Sequence, residues 1–293
     1  MVTITARPGA PSFGRLVDDG KAPEVALSEL GFIIEEEIQA TRLHHPAVSV
    51  LSHVVMPDHF HALIFVRERI DCHFGRVVNG LKGAITKRAR LAAADPSLTI
   101  FKEGFHDRIV AEAGQLETLR KYIADNPRRL AIKRRHPDLF RRYNHLRIGN
   151  REFAAYGNIF LLRNCDKQAV IVHRRYSLQE RQRLDQQWTQ CAENGGALVS
   201  PFISPAEKQI RDKALDAGGN LIILRAEGFR ERFKPTGAEF ELCNSGRLLL
   251  LAPWPYETQE SALTREQALS LNHMAEEIAR ICLEPISLAD SQE

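Results

Sequence analysis

The feature that most constrains this chain is a His-Phe-His sequence at residues 59–61, which follows a Pro-Asp pair and lies between two apolar runs. Proline followed by aspartate favours a turn, so the sequence predicts two neighbouring strands joined there. Alternate side chains of a strand face opposite sides of the sheet, which places His59 and His61 on one face, about 7 Å apart, and Phe60 in the core. Two imidazoles at that spacing can bind one cation. The alternative is a pair of histidines on a solvated sheet face.

A second motif, Tyr-Ile-Ala-Asp-Asn-Pro, occupies residues 122–127. An apolar stripe predicts a helix from about residue 112 to 126, and Pro127 is expected to end it because the residue before a proline is disfavoured in a helix. Tyr122 and Asn126 are four residues apart and therefore share one helix face. A phenol that can act as a nucleophile and an amide that can bind a metal are thus presented side by side. The alternative is a core tyrosine and an asparagine that caps the helix.

Basic residues are concentrated in the first half of the chain. Residues 1–150 contain 23 Lys and Arg against 17 Asp and Glu, whereas the remainder contains 17 against 20. Ten of these cations lie between residues 120 and 147, where the acids are Asp125 and Asp138. Dense Lys and Arg favour a polyphosphate partner, because phosphate contacts release condensed counterions. A solvated charged face is the alternative.

The composition, with 44% hydrophobic and 26% charged residues, is that of an ordinary globular protein. No apolar run is long enough to cross a bilayer, and the first residues lack the basic region and apolar core of an export signal. The sequence therefore predicts a cytoplasmic protein without membrane contact. Five scattered cysteines with no Cys-x-x-Cys pair argue against both a disulfide framework and a thiolate zinc site.

The length of 293 residues favours two domains. Residues 1–133 form the first predicted domain, and residues 134–156 are expected to be a basic linker. Residues 157–293 alternate short apolar runs with helical stretches, which is typical of a parallel sheet covered on both faces and predicts an α/β Rossmann-like domain. Further elements predicted in the first domain are a strand at residues 2–5 and helices near residues 28–41 and 76–94.

The first 150 residues resemble the single-tyrosine transposases that carry a His-hydrophobic-His motif, and specifically the REP-associated tyrosine transposases. The matching segments, in order, are residues 54–61, 80–82, 104–109 and 122–127. Their joint order and spacing are much more specific than either motif alone. The resemblance implies an α+β ferredoxin-like sandwich with a central antiparallel sheet, acting on single-stranded DNA near a hairpin.

The resemblance also implies the roles of the site residues. It makes His59, His61 and Asn126 ligands of a divalent metal, Mg²⁺ or Mn²⁺, and Tyr122 the nucleophile. Such an enzyme cleaves and rejoins single-stranded DNA through a 5′-phosphotyrosine intermediate. A cation neutralises charge that develops on the phosphoryl group, and nitrogen ligands suit manganese somewhat better. The phosphotyrosine ester conserves the bond energy, so no nucleotide cofactor is expected.

Five further residues are candidates near this site. Lys82, Arg128 and Arg129 are predicted to contact DNA phosphates, from their charge and placement. Asp58 stands where the family usually has asparagine, which adds a carboxylate beside the predicted ligands. His106 is a secondary candidate because its loop lies between the motifs.

The second domain carries a weaker signal at residues 199–207, which place a loop between a strand and a helix. Ser204 and Glu207 have the spacing of a capping box, and Pro205 lies in the first helical turn. Such a helix start can hold an anion, and structural capping is the alternative. The order of elements resembles the Rossmann-like domain of DNA-processing protein A, although no glycine fingerprint accompanies it.

The leading hypothesis is a metal-dependent DNA strand transferase of the tyrosine transposase type. One rival is a catalytically silent DNA-binding or regulatory protein on the same scaffold. Another is a hydrolase that uses the His-Phe-His site, with a nucleotide pocket in the second domain. The sequence leaves open which DNA is recognised and whether the chain forms a homodimer.

Overall fold

A computed structural model describes residues 1–19, 22–173, 175–231, 233–257 and 262–282 of the chain. The chain divides into two compact units, Met1–Arg134 and Arg135–Glu293. The first has a four-stranded antiparallel sheet and the second a six-stranded, mostly parallel sheet. Among the described residues, no helix combines the length and apolar character needed to span a membrane.

The first unit begins with a strand that lies inside its sheet. The elements are β1 (Val2–Thr5), β2 (Gly14–Val17), β3 (Glu24–Leu27), α1 (Glu29–His44), β4 (Val48–Val55), β5 (His59–Val66), α2 (Phe74–Ala92), β6 (His106–Asp107) and α3 (Gln115–Arg135). The sheet has the strand order β4-β5-β1-β6 with antiparallel neighbours, and β2 and β3 form a separate hairpin. The strand predicted at residues 2–5 is confirmed, with a partner on each side.

The two faces of this sheet have different cover. Helices α1 and α2 pack on the face that carries Ile4 and Phe60, where fifteen buried apolar residues form one cluster. Helix α3 lies on the opposite face, where Leu63, Leu119 and Ile123 form a small buried cluster. The alternation expected along β5 is confirmed by these clusters. The first unit is therefore a sheet with a large apolar core on one side and a narrow one on the other.

Helix α3 corrects one prediction, because it continues through Pro127 instead of ending at Asn126. A proline inside a helix removes one backbone hydrogen bond and costs roughly 3 kcal/mol. Ala131 and Ile132 are buried on the continuation. Apolar burial beyond the proline offsets that cost. The rule that proline ends a helix considers only neighbouring residues and does not include this burial.

The second unit has helices on both faces of its sheet. The strand order is β7-β8-β12-β11-β10-β9; β9 to β12 are parallel, and β8 and β7 are antiparallel to their neighbours. Helix α7 packs on one face, and α4, α5 and α6 pack on the other. The elements are β7 (Arg142–Ile148), β8 (Arg151–Gly157), β9 (Lys167–Ala169), α4 (Leu178–Glu193), β10 (Ala197–Ser200), α5 (Pro205–Asp216), β11 (Asn220–Leu224), α6 (Ala238–Asn244), β12 (Leu248–Ala252) and α7 (Arg265–Arg280).

The segment expected to be a basic linker, residues 134–156, instead contains two strands of this second sheet. Strands β7 and β8 form a hairpin that joins the sheet through β12. Leu146 and Ile148 are buried, whereas Arg147 between them is exposed. Gly149 at the turn has a φ of +58°, a conformation that favours glycine. The exposed cations of an alternating strand gave the segment its linker-like composition.

The expectation drawn from the scattered cysteines is corrected at one pair, because Cys165 and Cys282 form a disulfide bond across 117 residues. Spacing in the sequence carries no information about a pair that tertiary structure brings together. Cys72, Cys191 and Cys243 are free thiols. Burial raises the pKa of Cys191 to about 12, so this thiol is an unreactive core group.

Candidate metal and nucleophile site

The register of the first sheet places the two histidines of β5 beside the first strand. Thr3 pairs with His61, and Thr5 pairs with His59. On the other side of β1, Thr3 pairs with His106. Directly paired residues of neighbouring strands point to the same face, so these side chains share the face on which α3 lies.

The imidazoles of His59 and His61 converge on one point. Their Nε2 atoms are 3.2 Å apart, and their ring centroids are 4.8 Å apart. His61 is 6% exposed, and the side chain of His59 is 25% exposed. The prediction that these two side chains project together is confirmed. One ring is enclosed and the other faces the opening of the site.

Each imidazole is held at its other nitrogen. Asp58 Oδ1 lies 2.7 Å from His59 Nδ1, and Thr3 Oγ1 lies 2.8 Å from His61 Nδ1. An ionised carboxylate can only accept, so His59 Nδ1 donates and its Nε2 presents a lone pair when the ring is neutral. A hydrogen bond that fixes the outer nitrogen is the usual way in which proteins orient a metal-binding histidine.

The hydroxyl of Thr3 suits two protonation patterns of His61. With a neutral His59 that presents a bare Nε2, the 3.2 Å contact requires His61 to donate from Nε2. His61 Nδ1 then accepts from the hydroxyl of Thr3. To bind a cation, His61 must present a bare Nε2 and donate from Nδ1, and the same hydroxyl can accept that proton. Thr3 therefore holds the ring in both states.

Tyr122 lies on α3 against His61, and Asn126 lies one turn further along the same helix. The ring centroid of Tyr122 is 5.7 Å from that of His61, in an edge-to-face arrangement. Asn126 is 8% exposed, and its Nδ2 donates to the Tyr122 carbonyl oxygen at 2.7 Å. Because the amide nitrogen is used by the helix, Oδ1 is the amide atom that remains to bind a cation. Asn126 is therefore a mid-helix residue, and the alternative of a terminal cap is wrong.

The two arginines that follow have different surroundings. Arg129 is 8% exposed, with its guanidinium 5.5 Å from the centroid of the Tyr122 ring. A cation over a tyrosine ring is attractive and fixes the ring in place. Arg128 pairs with Asp125, at 2.5 Å from Nε to Oδ1. Arg129 thus packs against the ring of Tyr122, whereas Asp125 partly neutralises the charge of Arg128.

Lys82 and His106 lie outside the imidazole pair. Lys82 Nζ donates to the carbonyl oxygens of Lys102 and Gly104 at 2.8 and 2.9 Å, and burial lowers its pKa. His106 lies in a strand instead of the expected loop. It is two strand spacings from His61, so their Cα atoms are about 10 Å apart. His106 lies on the same face of the sheet as His61, with Thr3 of β1 between them.

The donors present fit a divalent cation with open positions. Within the described parts of the chain, no three His, Cys, Asp or Glu side chains form a group that could hold a metal. Asp58 is engaged at the outer nitrogen of His59, so it orients a ligand instead of being one. Two imidazole nitrogens and the Asn126 amide oxygen are a mixed donor set that suits Mn²⁺ and accommodates Mg²⁺.

The helix start proposed as an anion site in the second unit is filled by its own cap. Ser204 Oγ accepts from the Glu207 backbone N–H at 3.2 Å, and Glu207 Oε2 accepts from the Ser204 N–H at 2.9 Å. Glu207 is 5% exposed. The predicted capping box is confirmed, and a buried carboxylate occupies the position where an anion would bind.

Sequence reasoning missed Thr3 as a site residue. The available signal was the alternation in β1, where Val2 and Ile4 are buried apolar residues and Thr3 faces the other way.

No matching family model, curated protein or solved structure was found for this chain. The basis for function is therefore the geometry of the site, the topology and the resemblance of the motifs.

Proposed function

We propose that the first unit is a metal-assisted DNA strand transferase of the tyrosine transposase type. The observation that carries this proposal is the convergence of two Nε2 atoms, 3.2 Å apart, against which the ring of Tyr122 packs. Both outer nitrogens are held, so the two Nε2 atoms are directed at a common position, and both present lone pairs there when His61 donates from Nδ1 to Thr3. A solvated pair of histidines has no need of such an arrangement.

The topology supports the family resemblance. Without the β2–β3 hairpin, the first unit follows the order strand, helix, strand, strand, helix, strand, and its sheet order is β4-β5-β1-β6. We infer that this is a ferredoxin-like sandwich with α3 added on the open face. The second unit, with four successive parallel strands covered on both faces, is inferred to be Rossmann-like.

In the proposed reaction, the phenol oxygen of Tyr122 attacks a phosphorus atom of single-stranded DNA. The new bond joins Tyr122 to the 5′-phosphate, the bond from phosphorus to the 3′ oxygen breaks, and the phenol proton passes to that oxygen. The 3′-hydroxyl can later attack the phosphotyrosine, which rejoins a strand and restores the phenol. Because the ester conserves the bond energy, the cycle needs no nucleotide.

The residues around Tyr122 have separate tasks in this proposal. His59, His61 and Asn126 would hold Mg²⁺ or Mn²⁺, which when bound neutralises charge on the phosphoryl group. Arg129 keeps the Tyr122 ring in position from its buried site. Preorganised groups of this kind need no rearrangement when the phosphate arrives.

A covalent adduct is the direct test. Purified full-length protein is incubated with hairpin-bearing single-stranded DNA and Mn²⁺, and the products are separated under denaturing conditions. We expect an adduct that resists denaturation and is lost completely in Tyr122→Phe, because phenylalanine retains the ring contact with His61 but has no nucleophile. Tyr176→Phe, which alters a partly exposed tyrosine of the second unit, is the matched control and should form the adduct normally.

Two outcomes would contradict the enzyme proposal. Tight DNA binding without any adduct would support the catalytically silent DNA-binding protein on the same scaffold. Cleavage without covalent capture that persists in Tyr122→Phe would support a hydrolase at the His-Phe-His site.

A further inference from the structure

A groove runs along α2 on the side of the sheet opposite Tyr122. It has a volume of about 820 Å³ and lies between one face of α2 and the segment that follows this helix. Ile100 and Phe101 give it an apolar floor, and the exposed Leu91 also lines it. No residue of the proposed metal site lines it, so its surface is not explained by the chemistry at Tyr122.

The charged side chains that line this groove are all cations. They are Lys82, Lys87 and Arg90, and no acid is among the described residues that line it. Arg7 adds a fourth cation at the rim, through a hydrogen bond to Thr99. A concave surface with charge of a single sign attracts the opposite charge more strongly than a flat surface does.

Two acids lie near the groove without lining it. Asp95, between two lining residues, accepts from the backbone N–H and the hydroxyl of Ser97 and acts electrostatically on Arg90. Glu103 acts electrostatically on Lys82. These two acids offset part of the charge of Arg90 and Lys82, and Lys87 and Arg7 add to the positive charge of the groove.

The cations differ in how far their own fold uses them. Lys82 ties α2 to two carbonyl oxygens, and Arg90 Nε donates to the Leu98 carbonyl at 2.9 Å. Both retain N–H groups that these bonds do not use. Lys87 is exposed and makes no hydrogen bond or ion pair within the described residues. Lys82 and Arg90 thus bond to the backbone around the groove, whereas Lys87 lines it without a bonding partner among the described residues.

The spacing of these cations suits a nucleic-acid backbone. Lys82 and Arg90 are eight residues apart on α2, or about 12 Å along its axis. One strand of B-form DNA presents a phosphate about every 3.4 Å of axis, so this length matches three to four phosphates. The apolar floor does not compete for solvent-exposed phosphates, which remain at the cationic rim.

One end of the groove approaches the strand beside the candidate site. Phe101 forms a bridge with Ala6, and the Lys102 N–H donates to the Thr5 carbonyl at 3.0 Å. Thr5 is the residue that pairs with His59. A DNA held in the groove can therefore leave it at the end of β1 and reach the opposite face beside the histidines.

We propose that this groove is a second DNA-binding surface, which holds the phosphodiester backbone of the substrate away from the bond that Tyr122 cleaves. The proposal rests on the proposed function in that it takes DNA as the substrate. Phosphate contacts fix the position of a nucleic acid without reading its bases. The groove would thus supply affinity and register, and the metal site would supply chemistry.

The test is the salt dependence of DNA binding by Lys87→Ala. The slope of log K against log salt is negative, and each lost phosphate contact reduces its magnitude by about 0.7 for single strands and 0.9 for duplex DNA. We expect a decrease of that size relative to wild type, and none in Lys87→Arg. Arg42→Ala removes an exposed cation on α1 and is the matched control. A hairpin with a single-stranded extension and an unstructured strand of equal length show which part of the DNA occupies the groove.

An unchanged slope in Lys87→Ala with both DNAs, or an equal change in Arg42→Ala, would overturn the proposal. The adduct assay, run in parallel on the hairpin-bearing strand at saturating concentration, separates this result from failure of the enzyme proposal. If the adduct forms normally and the salt slope of Lys87→Ala is unchanged, only the groove proposal is contradicted. If the magnitude of that slope falls but no adduct forms, the groove proposal is supported and the chemistry proposed for Tyr122 is contradicted.

Discussion

The two faces of the first sheet divide stability from chemistry. The face under α1 and α2 carries fifteen buried apolar residues, and the face under α3 carries three. On the α3 face, polar groups take up the space: His61, Asn126 and Arg129 are each at most 8% exposed. Buried polar groups need partners, and partners require fixed geometry. A protein that places such a network on one face must obtain its folding free energy from the other.

The largest expected effect is on the apolar face. Ile34 on α1 is fully buried, so Ile34→Ala should lower the free energy of unfolding of the first unit by about 2–5 kcal/mol. Both tryptophans, Trp188 and Trp254, lie in the second unit. Hydrogen exchange in β5 peptides is therefore a more suitable measurement than fluorescence. Leu43→Ala on the same helix, at an 82% exposed position, is the control and should change the value by less than about 0.5 kcal/mol. Equal losses of stability in Ile34→Ala and Leu43→Ala would contradict the view that the apolar face supplies the folding free energy.

A smaller effect is expected on the α3 face, and on metal affinity instead of stability. Thr3→Val keeps the side-chain shape but removes the hydroxyl that holds His61 Nδ1. Loss of such an orienting partner typically weakens metal binding about 10- to 100-fold. Calorimetric titration with Mn²⁺, without DNA, measures it directly. Thr3→Ser restores the hydroxyl and should bind Mn²⁺ as wild type does. Wild-type affinity in Thr3→Val would show that the hydroxyl has no orienting role.

The smallest effect is expected at the exposed end of the same network. The side chain of Asp58 is 78% exposed, so solvent screens its charge. Asp58→Asn keeps an oxygen that can accept from His59 Nδ1, and we expect Mn²⁺ affinity to fall by less than about fivefold. Asp58→Ala removes the acceptor and should weaken binding further. If the asparagine variant were the weaker of the two, charge and not orientation would be the contribution of Asp58.

Parts of the fold followed from local patterns. The period of two in β5 placed His59 and His61 on one face, and the apolar stripes of α1 and α2 located both helices to within a few residues. The capping spacing of Ser204 and Glu207 located the start of α5. These patterns succeed because strand and helix geometry relates residues that are close in the chain.

Other parts could not be read in this way. Continuation of α3 beyond Pro127 depends on burial of Ala131 and Ile132, and the β7–β8 hairpin depends on its neighbour β12. The disulfide between Cys165 and Cys282 joins segments with no shared pattern. In each case a tertiary partner overrides the local preference or composition.

By itself, the sequence determined the types of chemical group at the candidate site and the faces on which they lie. It supplied two imidazoles on one strand face and a phenol and an amide on one helix face. Only the tertiary structure decided that Thr3 meets His61 across 58 residues and that two Nε2 atoms lie 3.2 Å apart. Backbone periodicity acts over a few residues, whereas strand register is fixed collectively by burial of the whole apolar face.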